Sequence, residues 1–264
     1  KGKIMNYTQQ QINKNLNAKV SIENISLSFI KNFPNACIGL KKLCVIGVDS
    51  FEKDTLIYID KFEVVANIGA LLKNEINIKK IILNKPVIHA IVDQEGRANW
   101  NITKPDTSIK EEIKDSIPSE FKTKIALKKF EIKQAIITYN DYKSKIFTGI
   151  YNWNLFLKGN FSKDFTELNL KSNIAKLNFR YGFINYLKDV MVDIVTNIDA
   201  DLVNKSFSLK QNHIALNDLY LGFEGLFSMK DSDVVVDMSF ATKKTDFKSL
   251  LSLVPAIYKQ NFKE

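Results

Sequence analysis

Arginine is almost missing from this chain. Arg97 and Arg180 are the only two among 38 basic residues, although the formal net charge is +9. Arginine's planar fork is the favoured reader of phosphates and guanines, so a basic balance made of lysine argues against a nucleic-acid partner. The lysines also stand singly or in pairs among Asp and Glu, as in Lys41-Lys42, Lys79-Lys80, Lys128-Lys129 and Lys243-Lys244, which is how solvated strand faces and edges read. Weak attraction to an anionic membrane surface suits this charge better. Histidine is limited to His89 and His213, each beside an isoleucine in a strand-like run, so both read as strand histidines rather than catalytic bases. GxSxG, P-loop, GxGxxG and HExxH patterns are absent, and no nucleophile, phosphate cradle or metal set stands out.

Cysteine is limited to Cys37 and Cys44, too few for a zinc site. Two free thiols are the plainer reading, and a disulfide closing a short loop is the alternative. Glycine (10) and proline (5) are scarce, which excludes low-complexity and collagen-like chains. No run approaches the roughly 18 apolar residues of a spanning helix, and no signal peptide is present. The acidic clusters Asp199 to Asp201 and Asp231-Ser232-Asp233 lack the ligand count and loop glycine of a calcium site.

What remains is abundant alternation. Hydrophobic residues make up 45% of 264, with 18 Phe and 9 Tyr, enough for a sizeable core without disulfides. Period-two runs begin near Val20 and continue through 40–46, 56–65, 87–92 (after a strand opener at Ile78 and a proline bend at Pro86), 124–139, 147–158, 169–181, 190–203, 206–215, 219–229 and 234–241. In 147–158 the alternation puts Tyr151, Trp153, Leu155 and Leu157 on one face. The cleanest alternation sets Val190, Val192, Ile194, Ile198, Ala200 and Leu202 against Asp193, Asn197, Asp199 and Asp201, and Val234, Val236, Met238 and Phe240 repeat it. These apolar residues, Ala200 excepted, are the candidate lining of a groove for an apolar ligand; an ordinary packed core is the alternative. Helical spacing occurs at 4–17, at 66–72 and at 246–258, the last behind a Thr245/Asp246 cap. Residues 104–120, with Pro105, Pro118 and a charged cluster, read as a mobile loop or linker.

An opener of the form apolar-Lys-Lys-apolar recurs at Leu40, Ile78 and Leu127, which suggests successive ladders of one sheet. Within 76–102, Asp93-Gln94-Glu95-Gly96 suits a turn with Gly96 left-handed, after which Asn99 to Ile102 returns alongside the strand with Trp100 as a core anchor. Pro86 cannot donate to a ladder and belongs at a strand start or edge.

Ile25-Ser26-Leu27-Ser28-Phe29 with Phe33-Pro34-Asn35, then Asn84-Lys85-Pro86-Val87-Ile88, Gly96-Arg97-Ala98-Asn99-Trp100-Asn101-Ile102 and the late segment 245–258 resemble the AsmA family of bacterial envelope proteins, related to TamB and to bridge-like lipid transfer proteins. The signature positions are Pro34, Pro86, Gly96, Asn99, Trp100 and Ile102. The resemblance implies no catalytic residues, no cofactor and no metal. It implies a periplasmic β-rich part, anchored to the inner membrane of a Gram-negative bacterium through an N-terminal segment missing here, acting in outer-membrane biogenesis and phospholipid movement. Pattern and resemblance together predict a mainly β (α+β) fold: a long, twisted, curved antiparallel sheet forming a half-pipe, with an N-terminal amphipathic helix and a C-terminal capping helix. The expected divisions are 1–18 (helix), 19–103 (first β-rich segment), 104–120 (loop), 121–244 (second β-rich segment continuing the sheet) and 245–264 (helix). Phospholipid or other acyl chains are the expected partners. The alternative is a scaffold that binds an envelope protein through its sheet edges, and a hydrolase hidden in the middle ranks last.

Overall fold

The computed structural model describes residues 16–29, 33, 35–67, 69, 75–103, 122–160, 164–230, 233–242 and 253–254. Its strands are β1 (Lys19–Ser21), β2 (Asn24–Ser28), β3 (Asn35–Ile46), β4 (Thr55–Asn67), β5 (Glu75–Val92), β6 (Lys122–Asp141), β7 (Ile146–Lys158), β8 (Phe165–Tyr181), β9 (Ile184–Asp201), β10 (Ser206–Leu216), β11 (Leu219–Lys230) and β12 (Asp233–Ala241). All twelve belong to one sheet, ordered β1 to β12 as in sequence except that β2 branches off β3.

The sheet is mixed rather than antiparallel. β5 and β6 run parallel, with Leu83 beside Ile132 and Ile88 beside Ile137. Parallel neighbours need a crossover connection rather than a tight hairpin. The second and third Lys-Lys openers thereby lie side by side, Lys80 against Lys129 and Ile81 against Phe130.

The expected helices find no support among the described residues, where a three-residue 3-10 turn, Asp49–Phe51, interrupts the strands. Most of 1–18 and 245–264, the loop 104–120 and nearly all of the 66–72 helix lie outside the described residues, while β4 carries the chain in strand form through Ala66 and Asn67.

Cross-strand partners share a face, so the register divides the sheet into an apolar side and a polar side. The division survives a line of irregularities in mid-strand. Lys42, Lys85, Gln134, Asn152 and Asp189 all have φ near +50°, and the pairing slips between Ile132 and Ala135 and between Ile174 and Leu177. Each extra residue turns two apolar side chains three apart, such as Ile132 and Ala135, onto one face. Two expectations change for this reason. Pro86 sits inside β5, opposite Ile59, rather than at a strand end; it is tolerated beside left-handed Lys85, where the β5–β6 pairing passes from Asn84–Lys133 to Val87–Ile136. Tyr151 leaves the face of Trp153, Leu155 and Leu157, because Asn152 intervenes and Tyr151 pairs with Ile136 and Lys176.

Cys37 and Cys44 are free thiols on the one strand β3. Seven residues of extended chain hold them roughly 23 Å apart, far beyond the roughly 7 Å that a disulfide tolerates.

Two hairpins are closed by aspartate. Asp141 accepts from the Ser144 amide at 2.7 Å, and Asp201 accepts from the amides of Val203 and Asn204 at 3.1 and 2.9 Å. Those amides hold both carboxyls below the ordinary aspartate value of 3.8. A depressed folded pKa stabilises the protein above the unfolded value, and the contribution disappears as pH falls through the folded one. Urea midpoints should therefore drop as the solution is acidified below about pH 4, and Asp141→Asn with Asp201→Asn should flatten that decline.

Candidate functional site

The apolar side is continuous across the sheet. One transverse row runs Leu40, Phe62, Leu83, Ile132, Leu155, Ser172, Ile194, Ile214 and Leu221, each residue paired with the next over nine strands from β3 to β11. Its one polar member is Ser172, whose hydroxyl accepts the Trp153 indole N–H at 2.9 Å. A second row runs Ile38, Val64, Ile81, Phe130, Leu157, Leu170 and Thr196.

The candidate lining residues fall on this side. Val190 pairs with Leu177, Val192 with Ile174 and Leu216, Ile194 with Ser172 and Ile214, and Ile198 with Leu168 and Leu209. Across β10 and β11 the same face reaches β12, where Val236 pairs with Phe227, Met238 with Gly225 and Phe240 with Phe223; Val234 pairs with Met229. Leu202 lies in the β9–β10 turn. The two sets share a face but differ in environment. Val190 and Val192 are buried, whereas Val234, Val236 and Phe240 are exposed on β12, which has no further strand partner among the described residues.

One polar pair interrupts this side. Thr196 donates to Asn212 Oδ1, as does the Asn197 amide at 2.9 Å, while the Asn212 amide nitrogen, in a residue only 5% exposed, has no acceptor among the described residues. Sequence periodicity missed it because Asn212 lies at the β10 slip between Leu209 and Asn212.

The signature hairpin differs from its expected form. Gly96 takes φ +88° and its amide bonds Asp93 O at 3.1 Å. The buried anchor, however, is Asn99, 3% exposed, and Trp100 is 42% exposed with its ring tilted against Tyr139 at 6.1 Å. Asn99 donates from Nδ2 to His89 O at 2.7 Å and accepts the Ile91 amide on Oδ1 at 2.9 Å, so its side chain acts as one more peptide beside β5. The return from Ala98 makes only an isolated bridge with Val92. Ile102 packs on the cluster of Ala18, Val20, Val45 and Leu56, and its carbonyl accepts the Asn17 amide at 2.6 Å. Pro34 lies outside the described residues.

A cavity of about 730 Å³ lies in mid-sheet, where polar residues such as Lys61, Asn84, Lys133, Asn154 and Lys171 line it together with Ile132, Leu155, Ser172 and Ile194 of the transverse row. Glu131 at its margin bonds Lys129 and Lys133 at 3.0 and 3.5 Å; burial raises its pKa, but the two lysines outweigh burial and hold the carboxyl below the ordinary glutamate value. His89 Nδ1 lies 2.7 Å from the Thr138 hydroxyl and so has a strand partner. Asp199 pairs with Lys210 at 2.8 Å. Among the described residues, no group of three or more His, Cys, Asp or Glu side chains gathers around a metal-sized position, and no helix is long and apolar enough to cross a membrane.

The described residues thus form one broad β-sheet with a continuous apolar side. A model of the AsmA family matches residues 2–185, and the chain belongs to that family, which is associated with the bacterial envelope. No curated protein and no solved structure matches the chain.

Proposed function

We propose that the apolar side of the sheet carries acyl chains of phospholipid or other lipids, and that the protein serves outer-membrane biogenesis from the periplasm, tethered to the inner membrane by an N-terminal segment. The observation that supports this most is the apolar side itself, which carries one transverse row over nine strands and, through Phe223 and Phe227 of β11, reaches the exposed Phe240 and Val236 of β12. A core that serves packing alone ends where it becomes exposed, whereas a track for a long apolar ligand runs to an edge. A second reading, a scaffold that adds a strand from an envelope protein, draws on the exposed Val234, Val235 and Val236 of edge strand β12.

Delipidated protein titrated with a fluorescent phospholipid should bind saturably, and unlabelled phospholipid should displace the probe. Absence of saturable binding would overturn the lipid reading, and recovery of a membrane protein without lipid would favour the scaffold.

A further inference from the structure

We infer that one rim of the sheet is a docking edge for an anionic lipid surface. Three chain reversals lie side by side there, the 93–97 turn after β5, the β6–β7 turn and the β8–β9 turn. The Tyr142 amide bonds Val92 O at 2.9 Å, the Gly182 amide bonds Lys145 O at 2.8 Å, and Lys143 Nζ lies 3.0 Å from where a Cβ on Gly96 would stand. The reversals therefore form a tied row rather than independent loops.

The row carries side chains that turns do not need. Tight turns favour Gly, Asn, Asp and Ser, yet the β8–β9 turn offers Phe183 at 95% exposure next to Tyr181, and the β6–β7 turn offers Tyr142. Gly182, at φ +59°, makes the reversal, so Phe183 is not required for its geometry. Around the aromatics stand Lys143, Lys145 and Arg180, none in an ion pair among the described residues, with Arg180 resting over the Phe147 ring at 5.5 Å. The neighbouring carboxylate, Asp141, accepts from the Ser144 amide and the Tyr139 hydroxyl within the turn. Asp93 and Glu95 are already paired with Arg97. The rim thus presents protruding aromatic rings beside Lys143, Lys145 and Arg180, and its cations outnumber its carboxylates by one. Rings of this kind partition to the headgroup boundary, and cations beside them favour anionic lipids. Prominent side chains on separate tips suit a fluid surface, which asks for no matching pocket, better than a shaped protein partner.

The rim does not depend on acyl chains entering the apolar side, and the two ideas fail separately. The full 264-residue chain should float with vesicles of phosphatidylethanolamine and phosphatidylglycerol, float less with phosphatidylcholine alone, and lose the difference at high salt. Phe183→Asp should weaken partition about tenfold, and Phe183→Asp with Tyr142→Asp should weaken it further, while both variants keep the wild-type unfolding midpoint and bind monomeric fluorescent phospholipid normally. Absence of flotation, flotation unchanged in the double variant, or equal partition to neutral and anionic vesicles would each overturn the proposal.

Discussion

Replacing Asn99 with alanine is expected to lower the unfolding free energy by about 3 kcal/mol, while replacing the much larger Trp100 costs about 1 kcal/mol. The order inverts what side-chain size suggests. Asn99 is buried and serves two backbone groups of β5, the Ile91 amide and the His89 carbonyl. Without it both groups lose their partner beside the strand, and each buried orphan costs about 1–3 kcal/mol. Trp100 is 42% exposed and loses mainly its contact with Tyr139. Asn99→Asp should be nearly as damaging as Asn99→Ala, because a carboxylate facing the His89 carbonyl removes a donor and adds repulsion. Urea unfolding of the three variants checks the order, and a larger loss for Trp100→Ala than for Asn99→Ala would return the anchoring role to the indole.

The same hairpin shows what a sequence can and cannot carry. Gly96 was legible because the turn it makes needs a left-handed residue and glycine is the cheapest one. Asn99 was not, since its role depends on reaching peptide groups eight and ten residues back in the chain. The strands themselves were legible wherever period two held, most clearly in β9, whose alternating valines and aspartates face opposite sides. Faces became illegible at the mid-strand slips. None of Lys42, Lys85, Gln134, Asn152 and Asp189 is a glycine, so nothing in the residue type announces a positive φ, and each slip reverses the apparent side of everything beyond it. This is how Tyr151 comes to stand on the other face from Trp153. The parallel β5–β6 pair was hidden for another reason: its direction is set by the path of the crossover, and alternation looks the same in strands of either sense.

Because the apolar side is both a packing surface and the proposed lipid track, the two roles should separate at its ends. Val192→Asp is expected to destabilise the protein by about 4 kcal/mol, since a carboxylate held between Ile174 and Leu216 finds neither water nor a cation. Val236→Asp lies on the same side, yet at 59% exposure its carboxylate stays hydrated, and the unfolding free energy should change by less than about 0.5 kcal/mol. Lipid binding should reverse the ranking of interest. If acyl chains run out along β12, Val236→Asp with Phe240→Asp should weaken fluorescent phospholipid binding at least about tenfold, close to 1.4 kcal/mol, in a protein as stable as the wild type. A scaffold that adds a strand to β12 uses main-chain groups instead, and would keep its partner in the same double variant so long as the backbone edge is intact. Unchanged lipid affinity in that variant would remove β12 from the track and leave the half-buried rows as packing, whereas the expected loss would tie the exposed edge to the ligand independently of fold stability.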